Sequence, residues 1–582
     1  MKFSFFITLS FVTFSNFVFG QSTGASELYE PIEQYSADYW ALQRKYTLKY
    51  SDEYYSRFTD LFQSWQNQLS QIDFDGLSQQ GKADFVLLNN HLEKENYFLQ
   101  IDYEQFKRVK HSLDGLEPLF DFVRKRRRGS VPEYEQLAKQ MSQITVGFSD
   151  KKEEMKALPY NDWMDADKAR LAIESLAENV KEAFDFYNAY DPMFTWWMEK
   201  PHQQLQETLK DYAGFLGENY DDGMGSAEFL EEGYSTKAAK DDGSGIVGKP
   251  IGEEAIIKSL EYSFIPYKPD ELIKAAEEQF QYCEAEMLKA SRELGYGTDW
   301  KAALEHVKNT YVPPGQQPAI IDSLAWEAVH FIEERDLITI PELAKETWRM
   351  KMMSPERQLV SPFFLGGETI IISYPTNTMT HDQKMMSMRG NNPNFSTATV
   401  HHELIPGHHM QMFMASRYKP YRNLFYNPFW MEGWALYWEI NLWNLDFPDT
   451  PEERIGMLFW RMHRCARIIF SLSYHMNKMT PQECIDMLVN RVGHEYANAE
   501  AEVRRSFTGG YGPLYQLAYM TGGLQFYALK KEMLAEGWTE KQFHDAVMRE
   551  GNIPIEILRA ILKKEEIKKN FKTKWRFSMD FE

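Results

Sequence analysis

The chain has 582 residues, with 85 acidic and 64 basic side chains and a formal net charge of −21. That balance argues against a nucleic-acid-binding face, which needs clustered positive charge, and the length is ample for a large buried core. Cys283, Cys465 and Cys484 are the three cysteines, an odd number without paired spacing, so no disulfide framework is expected.

Residues 1–20, MKFSFFITLSFVTFSNFVFG, carry one basic residue, Lys2, and then an apolar run ending at Gly20. This reads as a secretory signal peptide rather than a membrane anchor, because polar sequence follows at once. No cysteine lies near the expected cleavage point, which argues against a lipid anchor. No later apolar run reaches the roughly 18 residues needed to span a bilayer. The expectation is an exported protein, periplasmic or extracellular, with no stable membrane span once the signal is removed.

Residues 21–245 read as an N-terminal helical region. Helical patterns run through 53–69, 82–100, 131–141 and 167–189, punctuated by Asp75-Gly76, Arg128-Gly129 and Leu158-Pro159. The basic run Lys125-Arg126-Arg127-Arg128 reads as a solvated helix end, where cations suit the dipole. Residues 217–253, rich in Gly, Asp and Ser, read as a loop between two helical halves.

Residues 246–582 read as the region that carries chemistry, and the two regions could form one intimate domain. Helices are expected over 269–294 and 320–335. Between Gly366-Gly367 and Pro375, the run Thr369-Ile370-Ile371-Ile372-Ser373-Tyr374 has β character. Such a strand either binds an extended substrate by edge pairing or serves as a buried structural strand. The expected fold is therefore mainly α, with a short β element beside the site described next. Ser396 or Thr397 is expected to cap the helix that follows.

That helix leads into residues 400–411, Val-His-His-Glu-Leu-Ile-Pro-Gly-His-His-Met-Gln, which place four of the chain's 14 histidines and one carboxylate within residues 401–409. Two neutral imidazoles that hold a metal, with a glutamate beside them to take a proton from water, are the elements of a hydrolytic zinc site. The spacing is unusual. On an unbroken helix His402 and His408 would point about 120° apart, and His409 would lie roughly 10 Å along the axis from His402. The Pro406 ring clashes with the carbonyl of His402, and Gly407 permits angles other residues avoid. The helix is therefore expected to open at Pro406-Gly407 and return His408 toward the metal, with His409 as the alternative ligand.

A third ligand is expected from Met431-Glu432-Gly433-Trp434-Ala435-Leu436-Tyr437-Trp438-Glu439, which reads as a helix. Glu432 would complete the set of His402, His408 and Glu432 and leave a fourth position for water. Glu439 either orients a histidine ring from behind or is an ordinary surface acid. A long helix over 451–477 then carries Arg461, Arg464 and Arg467 at intervals of three.

The two segments His-Glu-x-x-Pro-Gly-His-His-x-Gln and Glu-Gly-Trp-Ala-Leu-Tyr-x-Glu together resemble the bacterial family known as domain of unknown function 885. The resemblance runs from about Tyr262 toward the C terminus, with a weaker helical match before it. It implies a helical, zinc-metallopeptidase-like protein, often exported, with Zn2+ as cofactor and a peptide or peptide-like substrate. The stretch from Glu502-Val503-Arg504-Arg505 to Gly523 resembles the family's Glu-Val-x-Arg-Tyr…Pro-Gly-Gln-x-x-Ser-Tyr-x-x-Gly, with Ser506 in place of tyrosine and Leu514 in place of glycine. Arg505 and Tyr519 match family positions. In this reading Tyr519, with Tyr511 or Tyr515 in reserve, offers a hydroxyl to the oxyanion, and Arg505 stabilises the same oxyanion or holds a substrate carboxylate bidentately. Where the family has an aspartate four residues after the arginine matched by Arg467, this chain has Ser471. Arg467 is read as structural or substrate-orienting.

The resulting expectation is an exported zinc-dependent hydrolase of peptide bonds, with Glu403 as general base. A zinc hydrolase of a non-peptide amide or ester, a non-catalytic binding protein that kept the fold, and a metal-storage role for the histidine cluster are the alternatives.

Overall fold

The N-terminal periodic stretches fold as helices longer than their sequence patterns: Asp52–Ser70, Gln79–Val109, Tyr134–Lys156 and Trp163–Tyr187. Ser51, Ser78 and Asp162 begin three of them by accepting a backbone N–H of the first turn. This computed structural model describes residues 26–220, 241–358, 363–508 and 510–579. The expected signal peptide, 1–20, lies outside the described residues, as does most of the expected loop at 217–253. Among the described residues no helix is long and apolar enough to cross a membrane.

The fold is mainly α. Its sheet has two short parallel strands, β1 (Arg349–Met352) and β2 (Thr369–Ile372). Ile370 and Ile372 of β2 point into a small apolar cluster with Val400 and Leu404. The β element thus packs directly on the helix that carries His402. β1 occupies one edge of β2, and Leu365 bridges to Ile371 on the other. One edge of β2 is paired along its length and the other is engaged at Ile371, with Ile370 and Ile372 buried, which favours the buried structural strand of the two sequence readings.

The apolar core does not divide at residue 245. Leu28, Phe62 and Leu88 belong to the same large cluster as Trp434, Leu458 and Phe526. A second cluster gathers Phe106, Phe122, Ile173 and Leu209. Helix Gln79–Val109 has 31 residues, about 46 Å at 1.5 Å per residue. It contributes Leu88 and Leu92 to the first cluster and Phe106 and Val109 to the second, so it ties the two together. The basic run ends helix Glu117–Arg126 as expected, with Arg126 and Arg127 reaching Glu182 at 2.9 and 3.3 Å.

The helices that position the site start alike. Asn392 caps Pro393–Glu403, Asn427 caps Pro428–Asn444, and Thr450 caps Pro451–His475, each with proline in the first turn. Proline needs no N–H there and its φ suits the helix, while the preceding side chain satisfies the orphan donors. Ser396 and Thr397 are not caps. Both lie inside the helix, their hydroxyls bonded to the carbonyls of Asn392 and Pro393, because the helix starts one turn earlier than expected.

Helices Pro428–Asn444 and Tyr515–Ala535 touch backbone to backbone. A Cβ on Gly433 would lie 2.5 Å from Cα of Gly522, and one on Gly522 would lie 2.2 Å from the carbonyl oxygen of Phe429. Only glycine fits at either position, and this contact sets Glu432 beside Tyr515 and Tyr519.

Candidate metal centre

Helix Pro393–Glu403 ends one residue after His402, and a new helix, His408–Ala415, begins five residues later. Gly407 sits where the chain doubles back. Its N–H donates to the carbonyl of His401 at 3.0 Å, and a Cβ there would lie 1.9 Å from the carbonyl oxygen of His402. The indole N–H of Trp434 donates to the Pro406 carbonyl at 2.8 Å, which fastens the break to the helix that carries Glu432.

The break brings three donors together. The His402 and His408 rings lie 4.8 Å apart, nearly perpendicular. Nε2 of His402 is 3.6 Å, and Nε2 of His408 3.1 Å, from the same Glu432 oxygen, Oε2. All three side chains are buried, and one donor atom from each lies within 4.8 Å of the others. Two imidazole nitrogens and one carboxylate oxygen at this spread fit one divalent ion with a coordination position to spare, the donor set of hydrolytic zinc sites.

Neighbouring groups hold these donors in place. Nδ1 of His402 donates to Oε1 of Glu439 at 2.6 Å. That directs Nε2 toward the cluster and fixes the ring. Glu439 is buried and is shared with Arg464, 3.4 Å away, so it is no surface acid. Nδ1 of His408 faces Oε1 of Gln411 at 3.5 Å, and Gln411 is held in turn by the Trp430 carbonyl at 2.9 Å. The Tyr515 hydroxyl donates to Oε1 of Glu432.

Burial opposes ionisation here, and the charged neighbours override it at several groups. Burial would raise both glutamates, yet His408 and His402 hold Glu432 well below the usual carboxylate range, and Arg464 and His402 hold Glu439 at about 2. Burial would depress His402, but Glu432 and Glu439 hold it up at about 9. Glu403 behaves differently: burial raises it and wins over the pull of His402 and His408, while Glu432 adds to the rise.

His409 is not brought to the cluster. Its Nε2 lies 2.7 Å from the Ala344 carbonyl, because the second helix starts at His408 and turns the next side chain the other way. His401 is likewise turned aside, edge-on against Phe447 at 5.7 Å. Tyr519 stacks on the His402 ring, with centroids 5.9 Å apart and planes 15° apart. Arg505 does not reach the donors. Its Nε sits 3.5 Å from Glu502, and its guanidinium lies 5.1 Å from the Tyr511 ring centroid. Several residues at or around the site were not singled out from sequence for these contacts: Arg464, Gln411, Glu502 and Gly522. Arg464 and Arg467 showed a signal in their spacing, and Gln411 in the histidine motif.

The chain is a large helical fold in which His402, His408 and Glu432 form a buried cluster that could hold a metal ion. The chain belongs to the family described as "Bacterial protein of unknown function (DUF885)", whose model matches residues 35–562. No curated protein is significantly similar to it. Among solved structures, it is similar to a "putative lipoprotein of unknown function" from Shewanella oneidensis, at 16% identity and TM-score 0.66, over 93% of this chain and 100% of that one. It is also similar to a "putative lipoprotein" from Colwellia psychrerythraea, at 16% identity and TM-score 0.57, over 92% and 97% of the two chains. At such identity the likeness is one of fold.

Proposed function

We propose that this protein is an exported, zinc-dependent hydrolase that cleaves peptide bonds. The convergence of His402, His408 and Glu432 within 4.8 Å carries the reading. Glu439 behind His402 and Glu403 next to it in the chain support it. A storage or scavenging cluster would not need a buried carboxylate aligning one ligand ring. Export is supported by the apolar N-terminal stretch and by the description of the two structural neighbours named above as "putative" lipoproteins.

A zinc ion held by His402, His408 and Glu432 would supply the Lewis acidity that makes a water nucleophilic and polarises the scissile carbonyl. The chain's own groups do the rest. Glu403 takes the proton of the attacking water and passes it to the leaving amine. Glu439 keeps His402 in the tautomer that presents Nε2. The Tyr519 hydroxyl, which makes no hydrogen bond among the described residues, donates to the developing oxyanion. Tyr515 is less suited to that role because its hydroxyl is engaged by Glu432.

The test is Glu403→Gln assayed on a peptide mixture, with product analysis by mass spectrometry and zinc content measured on the same sample. The expected result is full zinc occupancy with turnover reduced by about 100- to 10,000-fold. Turnover at the native rate would overturn the reading.

A further inference from the structure

Beside the donor set lies a group of buried arginines that the proposed chemistry does not use. Arg464 and Arg467, from helix Pro451–His475, place their guanidiniums 4.7 and 4.4 Å from the Tyr519 ring centroid. Arg505, from helix Tyr496–Thr508, lies over Tyr511, which packs on Tyr515 at 4.3 Å. All three are more than nine-tenths buried. Their carboxylate partners number two, and both are shared. Glu439 serves Arg464 and His402, while Glu502 serves Arg467 at 2.7 Å, Arg505 at 3.5 Å and His463 at 3.6 Å.

Each arginine keeps hydrogen-bonding capacity unused. Nε of Arg464 and Nη1 of Arg467 are buried without a hydrogen-bond partner, while Nε of Arg505 faces the equally unpartnered Oε2 of Glu502 at 3.5 Å. The terminal nitrogens of Arg505 bond no described protein group either, yet they are not sealed off as its Nε is. Buried charge without a full set of partners is costly, so the arrangement calls for an anion.

We infer that Arg505, with Arg464 and Arg467 behind it, receives the free C-terminal carboxylate of a peptide substrate, so that the enzyme removes a short fragment from the C terminus. The inference rests on reading His402, His408 and Glu432 as a hydrolytic metal site and adds the substrate class. Length supports it. Arg505 lies 5.1 Å from the Tyr511 ring centroid, Tyr511 packs on Tyr515 at 4.3 Å, and the Tyr515 hydroxyl donates to Glu432. These short steps keep Arg505 within a few residues of extended chain, at about 3.3–3.6 Å each, of the donor set. A planar guanidinium also matches a carboxylate bidentately.

The test uses full-length protein carrying Glu403→Gln and loaded with zinc, so that peptides bind without turnover. Pentapeptides of mixed sequence, as free acids and as C-terminal amides, are titrated by calorimetry, and zinc content is measured on the same sample. The free acids are expected to bind at least tenfold more tightly than the amides. Adding Arg505→Gln should remove the difference, and Arg505→Lys should restore part of it. On the native enzyme, mass spectrometry should find C-terminal fragments of one to three residues. Equal affinity for acid and amide in a zinc-loaded sample, or no binding of either, would overturn the carboxylate site and leave the hydrolase standing. A sample that takes up no zinc would overturn the hydrolase reading and this inference with it.

Discussion

Nδ1 of His402 donates to Oε1 of Glu439 across 2.6 Å, joining two buried side chains 37 residues apart. Neither residue could be burdened with this contact cheaply. Both are buried, and an ionisable group so placed is retained only where it is paired. The pair turns a histidine near a helix end into a ring of fixed orientation.

Glu439→Gln is therefore expected to keep the hydrogen bond and the shape while removing the charge. Zinc affinity, measured by competition with a chromophoric chelator, should fall by about 10- to 100-fold. An affinity equal to that of the native protein would take Glu439 out of the site's support.

Gly522→Val tests the contact that sets Glu432 beside Tyr515 and Tyr519. The new Cβ would meet the Phe429 carbonyl oxygen at 2.2 Å, and backbone cannot yield as a flexible side chain can. Denaturant unfolding should show a loss of at least about 1–3 kcal/mol, and zinc binding should weaken with it. A variant with native stability and native zinc affinity would contradict the account of how the two helices meet.

The buried network at Arg422 predicts both a stability effect and its pH dependence. Arg422 is fully buried, with Nε on Asp84 and Nη1 on Glu550, each at 2.7 Å. Removing it leaves uncompensated carboxylates, so Arg422→Ala should cost about 3–5 kcal/mol. Burial alone would raise Glu550, but Arg422 and Lys419 hold it below the usual carboxylate range. A carboxylate depressed in the folded state stabilises fully above its unfolded value, about 4.3, and loses that contribution as pH falls through its folded value. Glu550→Gln should therefore be less stable than the native protein at pH 7, and the gap should narrow in acid. A gap that stays constant with pH would rule out this linkage.

The parts of this structure that were legible in the sequence are those set by local pattern. Apolar periodicity marks the helices because a helix needs only its own spacing and one buried face. The β character of residues 369–372 was plain because three consecutive isoleucines sit between glycine and proline. The Pro406-Gly407 break was also visible, but which histidine it returns to the cluster was not, since that depends on the close approach of Gly407 to the His402 carbonyl. Asn392 and Asn427 each stand directly before a proline in the manner of a helix start, although the cap of the first helix is expected one turn later, at Ser396 or Thr397. The pairing of Arg464 with Glu439, and of Arg467 with Glu502, joins helices through tertiary packing, and nothing in the local pattern reports it. The core running across residue 245 is likewise a property of packing.

The central claim is that His402, His408 and Glu432 hold one metal ion, and elemental analysis of the purified full-length protein tests it most directly. The native chain and His409→Ala should each contain about one zinc per chain, because His409 is turned toward Ala344. His402→Ala and His408→Ala should lose the metal while remaining folded. No stoichiometric metal in the native chain, with none taken up from added zinc, would contradict the account; so would loss of the metal on replacing His409 alone.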